Sequence, residues 1–361
     1  GEGMYIESIR LNNFRNYELL EMNFDQGTNI LYGDNAQGKT NILEAVYLAG
    51  TSKSHKGSKD REMIRFDQEE AHIRMKLDRD GSSYSIDMHL KKNRPKGIAI
   101  NGVPIRKAGE LLGLGNFVFF SPEDLNIIKS GPGERRRFMD LELCQLSKVY
   151  LFQLSNYNKI LNQRNKLLKE ITFRPEYLDT LDVWDRQLVQ YGERVIRERE
   201  KFVGRLNEII GGIHQRLSGG RETLVIHYEK NVEPEEFEAR LTANRDRDLK
   251  LRTTQAGPHR DDLCFDIGGM DIRKFGSQGQ QRTAALSLKL SEIELVKQEI
   301  KDTPVLLLDD VLSELDSSRQ KYLLDGIHDI QTLITCTGLD EFVENRFEIN
   351  KVFRVSDGVV T

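Results

Sequence analysis

One run of eight residues constrains the fold of this chain more than any other feature: Gly33-Asp34-Asn35-Ala36-Gln37-Gly38-Lys39-Thr40. An apolar segment, 28–32, precedes it, and apolar residues at helical spacing follow it from Ile42 to Ala49. A glycine-rich loop between a strand and a helix offers backbone N–H groups to phosphates, and its terminal lysine and hydroxyl suit the outer phosphates and Mg²⁺. The run therefore predicts an α/β phosphate-loop fold in which these eight residues and Asn41 bind ATP.

A second apolar segment, Val305–Leu308, ends in two acids that suit the same chemistry. Mg²⁺ on a nucleotide needs oxygen ligands beyond the Thr40 hydroxyl, and Asp309 at the end of a neighbouring strand supplies one. Asp310 follows directly and is predicted to orient or deprotonate the attacking water, while Lys39 acts at the outer phosphates. The alternative for Asp310 is a solvated acid at a strand end.

Length and composition set the broad class of the protein. A chain of 361 residues with 38% hydrophobic content can form two domains or one large interrupted domain. No run of about eighteen uncharged apolar residues and no signal-peptide pattern occurs, so we expect a cytoplasmic protein without a membrane partner. The cysteines Cys144, Cys264 and Cys336 lie far apart and predict reduced thiols. Residues 1–3, before Met4, resemble a cloning scar.

The charge pattern leaves nucleic-acid binding open. The formal net charge of −4 does not indicate it. Local basic groups at 91–96, 135–137 and 245–247 could nevertheless contact phosphates. For each group alone, a solvated surface is the competing interpretation.

Two kinds of periodicity divide the chain. Alternating segments at 72–77 and 84–90, with turn signals at Asp80-Gly81 and Asn101-Gly102, predict antiparallel strands. Helical patterns then run over 134–171 and 176–217. We therefore predict an ATPase head of two lobes, with a mixed sheet and antiparallel strands in the first lobe, and an inserted α-helical arm. The head comprises 4–130 and 250–361, and the arm comprises 131–249.

The second helical pattern has a seven-residue repeat. Its apolar members are Leu181, Leu188, Val195, Phe202 and Ile209. The repeat favours an antiparallel helical arm. A compact bundle is the alternative, because Glu198 and Arg205 fall at positions that a coiled coil keeps apolar.

Two glycine motifs compete for the role of the signature loop of an ATP-binding cassette. Such a loop must begin a helix, so that free amides face the terminal phosphate of a nucleotide on another subunit. The run 217–220 (Leu-Ser-Gly-Gly) instead ends a helical pattern, whereas 276–280 precedes a long one. Ser277, Gly279 and Gln280 are therefore predicted to bind a second copy's ATP, which makes the protein an ATP-dependent homodimer. Residues 313–316 would cross the dimer seam or form an ordinary helix N-cap.

The ordered motifs resemble the SMC-like branch of the ATP-binding-cassette ATPases, and in detail the RecF family of DNA-repair proteins. The residues that carry the resemblance span nearly the whole chain and lie at 11–17, 33–40, 120–125, 134–138, 257–262, 277–282 and 308–316. The resemblance implies slow, DNA-stimulated ATP hydrolysis with ATP and Mg²⁺ as cofactors. It places Arg15 at the border of the nucleotide and Ser277 in the catalytic set with Lys39 and Asp310.

The same resemblance implies a set of partners. These are duplex and gapped DNA, junctions of single- and double-stranded DNA, a second copy of the chain, and the proteins RecR and RecO. The implied task is recombinational gap repair and RecA loading, linked with replication and the damage (SOS) response.

Several residues depart from the cassette pattern or fall outside it. Glutamate is common where Asp310 stands, and no switch histidine follows the next strand, which leaves Thr335 or Thr337 to sense the terminal phosphate. The segment 121–124 is the best candidate for the glutamine-loop region. No mechanism follows for 257–262, and His259 is expected to form structural hydrogen bonds.

Three functions fit these features. The leading hypothesis is an ATP-gated DNA clamp. The alternative is the nucleotide-binding subunit of a transporter or another partner-driven ATPase. A third possibility is a scaffold that holds ATP as a structural ligand.

Overall fold

A computed structural model describes residues 3–34, 36–340, 342, 347–356 and 358–361. Asn35 of the predicted phosphate loop lies outside the described residues. The strands are β1 (Met4–Phe14), β2 (Tyr17–Asn23), β3 (Thr28–Tyr32), β4 (Glu70–Arg79), β5 (Ser82–Lys91), β6 (Arg94–Ile100), β7 (Val103–Pro104), β8 (Phe117–Phe120), β9 (Leu224–Glu229), β10 (Asp262–Ile267), β11 (Met270–Asp271), β12 (Val305–Asp309), β13 (Thr332–Cys336), β14 (Lys351–Ser356) and β15 (Val359–Val360). The helices are α1 (Ala36–Thr51), α2 (Asp60–Met63), α3 (Leu125–Lys129), α4 (Pro132–Leu146), α5 (Lys148–Ile171), α6 (Leu181–Leu217), α7 (Phe237–Ala243), α8 (Arg245–Leu251), α9 (Ile272–Phe275), α10 (Gln278–Ile300) and α11 (Ser317–Gly326).

The chain forms two compact units, Gly1–Asp124 with Glu292–Thr361, and Leu125–Ser291. The first unit contains an antiparallel sheet of order β2-β1-β4-β5-β6-β7 and a second sheet of order β15-β14-β3-β13-β12-β8. In the second sheet, β14, β3, β13, β12 and β8 are parallel. Helix α1 contacts strands of both sheets. Its residues 38–50 are all buried, including the polar side chains near its start.

The predicted hairpins of the first unit are confirmed. Asp80 and Gly81 join β4 to β5, with φ of +53° and +85°, and Asn101 and Gly102 join β6 to β7, with φ of +52° and +79°. Two left-handed residues in a row give the turn whose twist matches that of the flanking strands. Among the described residues, no helix is long and apolar enough to cross a membrane.

In the second unit, α5 and α6 pack against each other in antiparallel order. Arg164 Nε donates to Asp185 at 2.7 Å, and Arg199 Nε donates to the Tyr150 hydroxyl at 3.1 Å. Between these pairs, a Cβ added at Gly192 would lie 3.0 Å from the ring of Tyr157. Helix α6 also contacts α4, α7 and β9 of the sheet β11-β10-β9, so its buried face is broader than a two-helix seam.

The structure corrects two details of the helical prediction. The pattern over 134–171 is broken at Ser147, which is extended (φ −142°) and accepts the Tyr150 N–H to cap α5. The seven-residue repeat of α6 also drifts. Phe202 is buried, but Ile209 is half-buried and Ile210 takes the inner position. An unsupercoiled helix turns about 20° per heptad relative to a strict seven-residue repeat, which accounts for the drift.

The segment 257–262 is the polar anchor of the second unit. Arg199 donates to the Pro258 carbonyl at 2.7 Å and to Asp261 at 3.0 Å. The other Asp261 oxygen accepts the Asn231 N–H, and burial raises the pKa of the Asp261 carboxyl. The segment therefore joins α6 to the loop after β9. The hydrogen bonds of this segment are structural, which is the kind of role expected for His259.

His259 is held as one neutral tautomer. Its Nε2 lies 2.9 Å from the Thr254 carbonyl, which can only accept, so Nε2 carries the hydrogen. Its Nδ1 then accepts from the Tyr157 hydroxyl at 2.7 Å. Burial lowers the pKa of His259 from 6.5 to about 4.

We expect acid to destabilise the second unit through His259. Between pH 6.5 and about 4 the unfolded chain binds a proton at this residue that the folded chain does not. The contribution of His259 to the free energy of unfolding should fall by about 3 kcal/mol over this range. In His259→Gln, this part of the pH dependence should be absent. Urea titrations followed by the fluorescence of Trp184, the single tryptophan, measure it. Equal pH slopes for both proteins would contradict the assignment, since the acids with raised pKa contribute equally to each.

Candidate functional site

The phosphate loop joins β3 to α1, the order that the sequence predicts. Gly33 has φ of +150°, and a Cβ on it would collide with the Val355 carbonyl of β14, so no other residue fits here. Lys39 is buried, and its Nζ donates to the carbonyls of Gly33 at 2.5 Å and Cys336 at 2.7 Å. Tyr17 donates its hydroxyl to the Gly38 carbonyl at 2.7 Å, a contact not predicted from the sequence. The loop is thus fixed from both sheets of the first unit.

Thr40 and Asp309 meet at the carboxyl end of the parallel strands. The Thr40 hydroxyl lies 2.9 Å from both Asp309 carboxylate oxygens, and the Thr335 hydroxyl donates to Oδ1 at 2.7 Å. Burial raises the pKa of the Asp309 carboxyl, and the hydroxyls of Thr335 and Thr40 partly oppose that rise. One hydroxyl and one carboxylate form the small set of protein ligands that Mg²⁺ uses beside phosphate oxygens and water. The residues therefore fit Mg²⁺ on a nucleotide.

Asp310 has an unusual backbone conformation, with φ of +52°. Its N–H donates to the Thr335 hydroxyl at 2.9 Å, and its Oδ1 accepts from Ser313 at 3.0 Å. Aspartate and asparagine tolerate this left-handed region better than longer or branched side chains do. Because Thr335 bonds to both acids, Thr337, which is exposed, has the hydroxyl better placed to meet a phosphate.

A cleft of about 250 Å³ connects these groups. Its lining residues are Lys39, Thr40, His55, Lys56, Ser121, Pro122, Glu123, Asp309, Asp310, Thr335 and Thr337. Residues 121–123 of the segment 121–124 line this cleft, and its role as a glutamine loop stays a prediction. His55 and Lys56 were not predicted from the sequence. The polar run 51–58 at the end of α1 was a sequence signal for these two residues. The stacking of His55 on Phe119, with ring centroids 3.6 Å apart, could not be predicted from the local sequence.

Arg15 and Asn41 are among the predicted site residues that do not line the cleft. Arg15 donates to both carboxylate oxygens of buried Glu44, at 2.8 and 3.0 Å, and to the Glu62 carbonyl at 2.9 Å. Asn41 donates to the Asn16 side chain at 2.9 Å. Arg15 therefore lies against the face of α1 that carries Glu44, and the Asn41 side chain points to Asn16. Of the remaining loop residues, Asp34 is exposed, and Ala36 and Gln37 begin α1.

The predicted signature segment begins α10 in the second unit. The Ser277 N–H donates to Gln280 Oε1 at 2.9 Å, and the Gln280 N–H donates to Ser277 Oγ at 3.1 Å. This reciprocal pair is a capping box. Gly279 is exposed, and the one atom near a Cβ added there is Ser277 Oγ at 3.9 Å. Packing in the described part of the chain therefore gives no reason for glycine at this helical position, where it costs about 1 kcal/mol relative to alanine.

The competing motif ends a helix, as predicted. Helix α6 stops at Leu217, and Gly219 and Gly220 are left-handed, with φ of +71° and +80°, before β9 begins. In the first unit, Asp316 accepts the Arg319 N–H at 2.9 Å and caps α11. An ordinary N-cap is therefore present in 313–316, and a dimer seam at this turn stays a prediction.

Comparison with known proteins gives a consistent result. Residues 5–361 match the RecF/RecN/SMC N terminal domain family. The chain is 65% identical to the DNA replication and repair protein RecF of Agathobacter rectalis and 62% identical to that of Lachnospira eligens, with 99% of each chain covered in both comparisons.

Solved structures extend this result to the fold. The structure of "the recombination mediator protein RecF-ATP in RecFOR pathway" has a TM-score of 0.92 and 39% identity, covering 99% of this chain and 97% of that one. An Smc head domain with an extended coiled coil from Pyrococcus furiosus has a TM-score of 0.55 and 18% identity, covering 99% and 95%, which is a likeness of fold alone. The predicted fold class, a two-lobed ATPase head with a helical insertion, is confirmed.

Proposed function

This chain belongs to the RecF family of DNA replication and repair proteins, and we propose that it is an ATP-gated clamp that closes as a dimer on DNA. Lys39 and the loop amides would hold the phosphates, and Thr40 and Asp309 would hold Mg²⁺, which would supply charge neutralisation for phosphoryl transfer. Asp310 orients or deprotonates the attacking water. Its side chain is shorter than glutamate, and the proposed hydrolysis is accordingly slow.

The observation that carries the dimer is the exposed capping box at 277–280. A helix N-terminus with free amides attracts phosphate, and Gly279 leaves room for close approach. Among the residues that the structure describes, no packing contact requires this glycine, and we assign its role to a second copy whose ATP meets Ser277 and Gly279. Phe275, two residues earlier, is 72% exposed and adds apolar surface to the same face.

Further parts of the proposal follow from the family. They include DNA-stimulated hydrolysis, preference for gapped DNA and single- to double-strand junctions, RecR and RecO as partners, RecA loading, and action in the cytoplasm. The roles of 4–130 with 250–361 as head and of 131–249 as arm belong to the same proposal, as does a place for Arg15 beside the nucleotide.

Fluorescence anisotropy of a labelled gapped duplex tests the clamp at one stated salt concentration. We expect ATP and Mg²⁺ to tighten binding at least about tenfold, and Ser277→Arg to abolish the gain, because a bulky cation blocks the second copy's nucleotide. Ser155→Arg, the same change at an exposed serine of α5 in the second unit, should keep the gain. Binding that is indifferent to ATP would instead favour a partner-driven ATPase.

A further inference from the structure

Gln280 links the signature segment to an acid on another element. Its side-chain Nε2 donates to Glu222 Oε2 at 2.8 Å, while its Oε1 accepts the Ser277 N–H at 2.9 Å. Glu222 lies in the turn between α6 and β9, close after the motif that resembles a signature loop. The Gln280 amide therefore has two partners: the Ser277 N–H requires its oxygen, and the Glu222 carboxylate requires its NH₂ group.

The orientation of this amide decides whether the capping box exists. Rotated by half a turn, the Gln280 NH₂ group would face the Ser277 N–H, donor against donor. A carboxylate can only accept, so Glu222 selects the orientation that places nitrogen towards itself and oxygen towards Ser277. Glu222 thus acts on the Ser277 backbone through Gln280.

A buried histidine contacts the other carboxylate oxygen of Glu222. His214 Nε2 lies 3.1 Å from Glu222 Oε1 and carries the hydrogen of that contact, because the carboxylate has none to give. His214 Nδ1 lies 2.9 Å from the hydroxyl of Ser287 on α10. The His214 side chain is fully buried and that of Glu222 is 21% exposed. A side-chain network therefore runs from the start of α10, through the end of α6, back to the body of α10.

The turn before Glu222 now has a structural explanation. Gly219 and Gly220 reverse the chain after α6, and the Glu222 N–H donates to Ser218 Oγ at 3.3 Å. The turn places Glu222 against Gln280. The two glycine motifs that compete in the sequence are therefore connected through side chains in the fold.

We propose that Glu222 is a positioning residue of the signature, which fixes Gln280 and so holds Ser277 ready for the ATP of a second copy. This inference rests on the proposed function. Ser277 Oγ already accepts from the Gln280 N–H, so its own hydrogen can point to a phosphate oxygen. Without Glu222 the amide can rotate, the cap loosens, and Ser277 loses its fixed geometry.

Glu222→Ala is expected to weaken the ATP-dependent dimer about tenfold for each of its two sites, the size of a lost N-cap. Affinity of the monomer for a fluorescent ATP analogue should not change. Sedimentation with ATP and Mg²⁺ measures the first, and fluorescence titration measures the second. Glu222→Gln should restore much of the dimer, because its side-chain oxygen can accept from Gln280 while its NH₂ group donates to His214 Nε2, once the histidine hydrogen moves to Nδ1 beside Ser287.

Asn207→Ala is the matched control for stability. Asn207 also lies on α6, and its side chain bonds to both backbone groups of Ile226 on β9, at 2.7 and 2.8 Å. It should lower the melting temperature without changing the dimer. If it weakens the dimer as much as Glu222→Ala does, or if Glu222→Ala adds to the effect of Gln280→Ala in the double variant, the proposal is wrong.

Hydrogen exchange separates this inference from the function on which it rests. Amides of 277–280 should exchange about tenfold faster in Glu222→Ala than in the wild-type monomer without nucleotide. Faster exchange with no ATP-dependent dimer of the wild type would remove the clamp but keep the positioning by Glu222. Unchanged exchange would overturn the positioning even if the wild type dimerises.

Discussion

Replacing Asp310 with asparagine should slow ATP hydrolysis by a factor of about 10²–10⁴, the usual contribution of a positioned acid or base. Binding of ATP should persist, because the contacts of Lys39, Thr40 and Asp309 are unchanged. Asparagine tolerates the left-handed backbone at φ +52° and can still accept from Ser313, so the fold should not change. Single-turnover hydrolysis measures the rate. In the clamp cycle, slower hydrolysis should also delay the release of labelled DNA after ATP is diluted.

Asp325→Asn serves as the control for this experiment. Asp325 is an exposed acid of the first unit and does not line the cleft, so its removal changes charge alone. If Asp310→Asn hydrolyses ATP at the wild-type rate, Asp310 is a solvated strand-end acid. If nucleotide lifetime and DNA release are also unchanged, ATP is a structural ligand and the clamp cycle does not exist.

Arg164→Met should lower the free energy of unfolding of the second unit by about 3–5 kcal/mol, the cost of leaving a buried charge without its partner. Arg164 is fully buried and donates to Asp185 at 2.7 Å and to Asp248 at 2.8 Å. Asp185 keeps Arg245 as a second partner at 3.0 Å, so Asp248 bears most of the loss. Urea unfolding followed by Trp184 fluorescence reports on this unit, since Trp184 packs beside Leu181.

Two further measurements identify the cause. Adding Asp248→Asn to Arg164→Met should recover much of the loss, because the uncompensated charge is gone. Burial already raises the pKa of Asp248, and removing Arg164 should raise it further. A carboxyl with a raised folded-state pKa is favoured at low pH, so the variant should be less destabilised at pH 5 than at pH 8. A pH-independent loss would point to packing rather than charge.

The sequence predicted those structural elements that depend only on neighbouring residues. The strand before the phosphate loop, the strand that ends in Asp309 and the hairpin turn at Asp80-Gly81 need only residue types and spacing. The placement of the two glycine motifs, one at the end of α6 and one at the start of α10, was also predicted correctly because it is visible in their flanks. The signature role of 276–280 stays a prediction. The order of the motifs then indicated the family.

The remaining features depend on residues that are distant in the sequence. Arg199 and Asp261 are 62 positions apart, and Gln280 and Glu222 are 58 apart. No periodicity indicates such a pair, since each partner alone looks like an ordinary polar or charged surface residue. The helix break at Ser147 was missed for a different reason. A serine that caps one helix directly after another leaves the apolar pattern almost uninterrupted.

The pairing of α5 with α6 limits how this protein family can change in length. The contacts between them fall at Arg164, Tyr157 and Tyr150 on one helix, and at Asp185, Gly192 and Arg199 on the other, each seven residues from the next. A single inserted residue would turn every contact beyond it by about 100° out of the seam. Two complete turns gained or lost by both helices together would preserve the pairing. Evolution, or a protein engineer, could therefore vary the reach of this region in discrete steps of seven residues per helix.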